Sequence, residues 1–282
     1  MNVKRLIKAV TLVFIVISVP MLHAAEEKIK EIDWKYDVNH AGERVGYNRI
    51  VLRSTLNGER LSEISSVLIP SFFRDTHIHS FKFENYNADR YLVQADYVYL
   101  YDGYLLRAHL ETTEREGLQQ RDFIYELDDA ELSQLQSRWA QTFEDILSND
   151  LLVELFFNQM QSLTLLDSSV TNISQSNFDM TPLALSIRLP EELFKEHKNP
   201  IRIFDPESEE VNPFYEISIH SKRLGAGNGQ LKSIRKNVQK ASIIINGEKL
   251  MEYWYDLDSR PINLLKIVDE SSGDYVEIVL VQ

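Results

Sequence analysis

Residues 93–113 decide the fold, and they read VQADYVYLYDGYLLRAHLETT. Apolar and polar side chains alternate on both sides of Asp102-Gly103, as they do in a β-strand that has one buried face. Asp-Gly is a preferred pair for the two-residue turn of a hairpin, because glycine readily adopts the positive φ that such a turn requires. The stretch therefore predicts an antiparallel β-hairpin whose register is set by its turn.

The predicted register divides the hairpin into two faces. One face carries four cross-strand pairs of mostly large apolar side chains: Tyr101 with Tyr104, Tyr99 with Leu106, Tyr97 with Ala108, and Ala95 with Leu110. The other face pairs residues of mixed character: Leu100 with Leu105, Val98 with Arg107, Asp96 with His109, and Gln94 with Glu111. We expect the first face to point inward and the second to meet water.

The small Ala108 lies among large neighbours, which indicates a recess on the inward face for an acyl chain or a similar ligand. Tyrosine suits such a groove because its ring is apolar and its tip is polar. The candidate ligand-binding residues are Tyr97, Tyr99, Tyr101, Leu106, Ala108 and Leu110. Ordinary cross-strand packing explains the same residues, so the sequence predicts either a groove or a filled core.

The alternation extends over residues 31–127 and predicts a continuous antiparallel meander, with Ala41-Gly42 and Asn57-Gly58 as turns. At residue 128 the period changes to three and four residues, as in an amphipathic helix. The apolar stripe consists of Leu132, Leu135, Trp139, Phe143 and Ile146. An Asp128 cap predicts a helix over Asp129–Leu147, followed by a second helix over Leu151–Leu166. We expect the stripe to pack into the concave face of the sheet.

After the helical region, the Ser- and Asn-rich segment Asp167–Asp179 is predicted to be a loop. Period two then returns, beginning with a predicted strand at Leu183–Leu189 and a helical turn at Pro190–Lys195. The order of strands, helices and strands predicts an α+β fold. We expect one domain over residues 25–282, in which a curved antiparallel sheet, a half-barrel, wraps round one or two central amphipathic helices from region 128–166.

Composition excludes several classes of function. The chain has 282 residues and no cysteine, which excludes disulfides, thiolate nucleophiles, cysteine-bound zinc and iron–sulfur clusters. With 43 acidic and 30 basic residues, the net charge of −13 offers no basic surface for nucleic acid and would be repelled by an anionic membrane. A hydrophobic fraction of 44% is too high for a disordered chain and predicts a folded globule.

The N-terminus has the three parts of a secretory signal peptide. Basic residues begin it at Lys4, Arg5 and Lys8, the apolar run Ala9–Val19 follows, and small residues end it near Ala24. The run is shorter than the roughly 20 residues that cross a bilayer, so we expect residues 1–24 to be removed as a cleaved signal peptide. We expect no transmembrane segment in the mature chain. The sequence therefore predicts a periplasmic protein.

Two short stretches resemble an uncharacterised family of secreted bacterial proteins. The first is Trp34–Val38 with the turn and strand at Gly42–Tyr47, and the second runs from Tyr253–Asp256 through Arg260-Pro261 to Gly273–Ile278. Proteins of that family are built on a half-barrel sheet, similar in architecture to the periplasmic lipoprotein carriers and chaperones that hold acyl chains between sheet and helix. The resemblance implies a half-barrel and carries no catalytic residue.

Candidate chemistry is sparse elsewhere. His77 and His79 put two imidazoles on one face of a strand, a spacing found in zinc sites, but the sequence indicates no third ligand. No motif predicts a nucleophile elbow, a phosphate-binding loop or a dinucleotide site, so we assign no catalytic residue, metal or cofactor. Glu207, Glu209 and Glu210 illustrate the abundant carboxylates, from which a glycosidase pair could still be drawn.

These observations favour a non-catalytic periplasmic binding or carrier protein for an apolar or amphipathic envelope ligand, either lipid-like or glycan. Two alternatives remain open from the sequence. One is a hydrolase acting on envelope polysaccharide, and the other is an assembly factor whose acidic surface meets an envelope protein partner.

Overall fold

The structure is a computed structural model that describes residues 30–69, 76–101, 103–113, 117–130, 132–133, 135, 167–193, 200–205, 214–224, 238–259, 262–269 and 276–281. The strands are β1 (Lys30–His40), β2 (Glu43–Thr55), β3 (Gly58–Ile69), β4 (Thr76–Asn87), β5 (Leu92–Tyr101), β6 (Tyr104–Thr112), β7 (Gly117–Glu126), β8 (Asp167–Ser174), β9 (Ile201–Phe204), β10 (Phe214–Leu224), β11 (Val238–Ile245), β12 (Glu248–Asp256), β13 (Asn263–Asp269) and β14 (Val276–Leu280). A helix, α1, spans Pro182–Leu193.

These strands form one curved antiparallel sheet that does not close. Strands β1 to β8 follow one another as a meander, β9 to β14 form a second meander, and the pairing of β1 with β14 joins the two. Tight turns with positive φ at Ala41-Gly42 and Asn246-Gly247 connect neighbouring strands, and the first of them is a turn that the sequence analysis predicts. The predicted half-barrel is confirmed as a mostly antiparallel, curved, open sheet.

The chain that follows β8 partly bridges the two edges of the sheet, which are β8 and β9. Met180 pairs with Ile203 in a parallel bridge. The backbone amide of Asp179 donates to the carbonyl of Arg202 at 2.9 Å, and that of Phe204 donates to the carbonyl of Met180 at 3.0 Å. The segment that leads from β8 to α1 is therefore anchored to β9, the other edge strand of the sheet.

Helix α1 lies against the concave face, where the sequence predicted a strand at Leu183–Leu189. Pro182 occupies the first turn, and the hydroxyl of Thr181 accepts a hydrogen bond from the amide of Ala184 at 3.1 Å, which is a standard helix start. Its buried apolar residues belong to the same core cluster as Tyr97 of β5. A helix enclosed on nearly every side needs no period of 3.6 in its apolar residues. The leucines of this helix could therefore alternate as the residues of a strand do, and this pattern led to the wrong prediction.

The helix that begins at Asp129 packs differently from our expectation. Asp128 caps it as predicted, since its carboxylate accepts a hydrogen bond from the amide of Ala130 at 2.9 Å. Leu132 and Leu135, however, contact the cluster of Val51, Phe81, Val98 and Leu100, which is on the opposite face from Tyr97. The expected packing of this stripe into the concave face is therefore wrong at these two residues.

The rest of the predicted stripe and the second predicted helix, Leu151–Leu166, lie outside the described residues. Within the described part of the chain, none of the helices is both long and apolar enough to cross a lipid bilayer.

Segment Asp167–Asp179 is not the predicted loop, because its first eight residues form strand β8 along the edge of β7. Ile173 faces the core, whereas Val170, Thr171 and Asn172 are exposed. The exposed polar residues explain the error, because an edge strand takes its backbone hydrogen bonds from its neighbour and can keep the composition of a loop.

Candidate functional site

The predicted register of the central hairpin is confirmed in full. Strands β5 and β6 pair Tyr101 with Tyr104, Tyr99 with Leu106, Tyr97 with Ala108, and Ala95 with Leu110. Gly103 has a φ of 85°, the positive value that the turn requires. The shared face is the concave one, because its members belong to the same cluster as α1. The side chain of Tyr101 lies outside the described part, so only its backbone position is known.

Burial along the concave face separates two ends. At the helix end, formed by the concave residues around α1, Tyr97 and Leu110 are completely buried. The open end comprises Tyr99, Leu106, Ala108 and Ile124. The first three side chains are half-buried, and Ile124 of β7 is 40% exposed. Of the predicted ligand-binding residues, Tyr97 and Leu110 thus belong to the filled core, whereas Tyr99, Leu106 and Ala108 remain reachable from solvent.

The convex face of the same hairpin is not the water-facing surface that we expected. Val98, Leu100 and Leu105 are fully buried there, and Leu132 and Leu135 pack against their cluster. Two oppositely charged residues are buried with them. The carboxylate of Asp96 accepts hydrogen bonds from Arg107 at 2.5 and 3.0 Å and lies 2.9 Å from the imidazole of His109. Charged residues at these positions are compatible with burial because each is paired.

A carboxylate is also buried on the concave side, at the helix end. The hydroxyls of Tyr86 and Tyr97 both donate to Glu84, the former at 2.6 Å. Burial raises the pKa of Glu84, while hydrogen bonds from Thr181 and the two tyrosines and the charge of Arg188 oppose that rise. The group is completely inaccessible to solvent. Glu84 therefore ties the sheet to the start of α1 through hydrogen bonds from Tyr86 and Tyr97 of the sheet and from Thr181.

Arg188 completes this contact from the helix. Its guanidinium lies 4.1 Å from the centre of the Tyr86 ring, and its Nη2 is 2.9 Å from the carboxylate of Glu59. Its Nε, which makes no hydrogen bond to the described residues, is covered by the same contacts. Stacking on an aromatic face combined with a planar ion pair is characteristic of arginine.

A second polar group lies on the concave face where the open end begins. We call Tyr36, Asn48, Glu63 and Lys82 the polar cluster; they belong to four successive strands, β1 to β4. The amide of Asn48 donates to Glu63 at 2.5 Å, and the Lys82 ammonium is 3.6 Å from the other Glu63 oxygen. The side chains of Glu63 and Lys82 are 16% and 19% exposed, so solvent reaches the cluster.

The polar cluster extends towards the second meander. The ammonium of Lys82 lies 5.8 Å from the centre of the Tyr99 ring, which links the cluster to the open end. Burial raises the pKa of Tyr253 on β12, and the nearby charges of Glu63 and Asp269 add to that rise. Because Glu63 also raises the pKa of Tyr36, its carboxylate acts on tyrosines from both meanders.

The histidine pair lies on the convex side of β4. The rings of His77 and His79 are 4.4 Å apart between centroids, so the predicted shared face is confirmed. Burial and the neighbouring His77 lower the pKa of His79 to about 4. In the described ranges, no group of three or more histidines, aspartates and glutamates is arranged to hold a metal ion.

The polar cluster and most of the residues around Glu84 were not predicted from the sequence to lie together. A signal for them was present, because period two places Glu63, Lys82 and Glu84 on the same face as the predicted pair Tyr97 and Ala108 once β3 and β4 are aligned with β5. Charged residues are rarely buried, so their charge gave no reason to expect these three side chains on an inward face.

Comparisons with known proteins agree with the fold and give no function. No protein-family model matches the chain, and no curated protein matches it. A solved structure with a similar fold is a β-barrel-like protein of a domain of unknown function, DUF1849, from Brucella abortus. It aligns with a TM-score of 0.50 at 8% sequence identity and covers 89% of this chain and 95% of that chain.

At that identity the likeness shows the fold alone. It supports the expected likeness in fold to an uncharacterised β-barrel-like protein, while secretion and similarity to lipoprotein carriers stay predictions.

Proposed function

We propose that the protein is a non-catalytic periplasmic binding or carrier protein for an amphipathic envelope ligand, held at the open end of the concave face. The observation that carries this proposal is the difference in burial along that face. Helix α1 covers one end completely, whereas Tyr99, Leu106 and Ala108 are left half-buried and Ile124 is 40% exposed. Apolar side chains lining a concave surface are a common basis for binding an apolar ligand.

The polar cluster supplies the second half of an amphipathic site. It lies beside the open end through the contact of Lys82 with the Tyr99 ring, and it is accessible to solvent. An apolar chain on Leu106, Ala108 and Ile124 would place a polar head group at Asn48 and Glu63. Binding sites commonly combine an apolar lining with a few polar groups that orient the ligand.

Glu207, Glu209 and Glu210, from which the sequence allowed a glycosidase pair, lie outside the described residues, and the proposal of binding rests on two carboxylates of the concave face. Glu84 is sealed from solvent, and Glu63 is engaged by Asn48 and Lys82. A glycosidase requires two accessible carboxylates on either side of a bond. We therefore propose that the concave face holds a ligand and does not hydrolyse it.

The test is a substitution that fills the proposed groove. Ala108→Trp places an indole among Tyr97, Tyr99 and Leu106, and we expect it to abolish retention of a bound lipid while the protein stays folded. Retention is measured by native mass spectrometry of protein purified from its own host, and folding by circular dichroism. Unfolding of the variant would show that the space is already filled by core side chains, and the groove would be rejected.

The matched control is Val170→Trp. Val170 is a strand residue of β8 that is 57% exposed and lies on the convex side of the sheet, so it adds the same indole outside the groove. We expect this variant to retain the ligand as the unmodified protein does. Loss of the ligand from both variants would show that the added indole acts on the whole fold and not on the concave face.

Export remains the other part of the proposal. It rests on the basic, apolar and small-residue succession that ends at Ala24, and the periplasm would follow from it. The intact mass of the periplasmic protein should correspond to a chain beginning at Ala25 or Glu26. Recovery of the full-length chain from the inner membrane would contradict this part of the proposal.

A further inference from the structure

We propose that the polar cluster binds the hydroxyl groups of an uncharged head group, so that the ligand is a neutral amphipath and not a fatty acid or another anionic lipid. This inference rests on the proposed function, because it specifies the head group of the ligand held at the open end. It is carried by two unpaired oxygens, by the hydrogen-bonding capacity that remains in the cluster, and by the charges around it.

Two oxygen atoms of the polar cluster have no hydrogen-bond partner in the part of the chain that the structure describes. They are the hydroxyl of Tyr36 and the side-chain carbonyl of Asn48. The two residues face each other across β1 and β2, and they are only 1% and 4% exposed. Buried polar atoms are nearly always hydrogen-bonded in proteins. Two such oxygens, on residues that pair across β1 and β2 on the concave face, therefore point to a ligand that supplies the missing partners.

The hydrogen-bonding capacity left at these atoms matches a hydroxyl group. Asn48 already donates its amide to Glu63, so its carbonyl oxygen can only accept. Burial and the charge of Glu63 raise the pKa of Tyr36, which keeps its hydroxyl protonated and able to donate. A ligand hydroxyl can donate to Asn48 and accept from Tyr36, whereas a carboxylate head group could only accept.

The charges around the cluster disfavour an anion. The carboxylates of Glu63 and Asp269 both act on Tyr253 and so lie near this part of the face. The cation of the cluster, Lys82, is 3.6 Å from Glu63, whose carboxylate already balances its charge. A carboxylate or phosphate head group would meet two like charges with one shared counter-ion, in a partly buried setting where screening by water is weak.

The experiment compares two ligands that share one acyl chain and differ in the head group. Monolauroylglycerol is uncharged and carries two hydroxyls, whereas laurate at pH 8 carries a carboxylate. Dissociation constants are measured by isothermal titration calorimetry below the critical micelle concentration of each. We expect the protein that begins at Ala25 or Glu26 to bind monolauroylglycerol at least about tenfold more tightly than laurate. A difference of that size corresponds to the free energy of about one or two hydrogen bonds.

The discriminating variant is Tyr36→Phe, which removes an oxygen without a partner in the described chain and changes no shape. We expect it to weaken monolauroylglycerol binding by about three- to tenfold, to leave laurate binding unchanged, and to keep the melting temperature of the free protein. The matched control is Tyr125→Phe, which removes a buried hydroxyl from the convex face. It should leave the affinities for both ligands unchanged.

Failure of this inference is distinguishable from failure of the proposed function. Suppose that both ligands bind the unmodified protein and that Ala108→Trp abolishes the binding of both. The groove then stands. The head-group assignment is nevertheless overturned if laurate binds as tightly as monolauroylglycerol, or if Tyr36→Phe changes neither affinity. If neither ligand binds the unmodified protein, the proposed function is overturned together with the assignment. A preference for monolauroylglycerol that is lost in Tyr36→Phe alone would support both.

Discussion

The two ends of the concave face are built from the same alternating strands, yet only one of them is covered. At the helix end, α1 buries Tyr97 and Leu110, and Glu84 receives hydrogen bonds from two tyrosines. At the open end, Leu106 and Ala108 are half-buried beside a cluster in which two oxygens have no hydrogen-bond partner among the described residues. Strand pattern alone therefore does not determine how deeply a sheet face is buried, because burial also depends on the element packed on it.

The largest expected effect is on stability at the helix end. Leu189 of α1 is completely buried in the main core, so Leu189→Ala should lower the free energy of unfolding by about 2–5 kcal/mol through lost burial and a residual cavity. The matched substitution at the open end, Leu106→Ala, should cost only about 1 kcal/mol because Leu106 is half-buried. Urea denaturation measures both values. Equal losses would abolish the distinction between the two ends.

The second prediction concerns the pH dependence of the helix end. Because the pKa of Glu84 is raised in the folded protein, the folded state holds a proton more tightly than the unfolded state does. Stability should therefore be greatest below the ordinary glutamate pKa of about 4.5 and should decline as pH rises above it. Glu84→Gln, which stays neutral, should lack this decline.

The measurement for this second prediction is the difference in the free energy of unfolding between the two proteins from pH 4 to pH 8. A difference that does not change with pH would show that Arg188 and the tyrosine hydroxyls fully compensate the burial of Glu84. The buried Glu84 would then contribute no more to the pH dependence of stability than a carboxylate in water does.

The smallest expected effect is at the polar cluster. Lys82→Met removes an ammonium that is 3.6 Å from Glu63, and both side chains are partly exposed to solvent. Exposed or partly exposed ion pairs contribute little, so the free energy of unfolding should fall by less than about 1 kcal/mol. Thermal denaturation at low and high salt checks this. A loss as large as that of Leu189→Ala would show that the open end is part of the folding core.

Much of the sheet could be predicted from local sequence, and the hairpin at Asp102-Gly103 shows why. Its turn type determines which residues pair, and the alternation of side chains determines which of them share a face. The same local rules predicted the capping of the helix that follows Asp128. All of these features depend on residues within about 20 positions of one another, so a single stretch of sequence carries them.

Prediction failed where burial depends on distant parts of the chain. Leu183–Leu189 alternate like a strand and form a helix, because the sheet encloses that helix from several sides and removes the need for a polar face. Segment Asp167–Ser174 has the composition of a loop and forms a strand, because the edge of β7 supplies its hydrogen bonds.

The candidate site divides in the same way. Tyr99, Leu106 and Ala108 were assigned to one inward face from the hairpin alone, whereas Tyr36, Asn48, Glu63 and Lys82 become neighbours only when four strands are aligned. The sequence by itself determined the strands, their turns and the hairpin register, since these follow from backbone geometry and from the period of the side chains. Tertiary structure decided which helix covers the concave face and that both faces of the central hairpin are buried. It also decided which oxygens have no hydrogen-bond partner among the described residues. The reason is that burial depends on contacts between segments far apart in the chain.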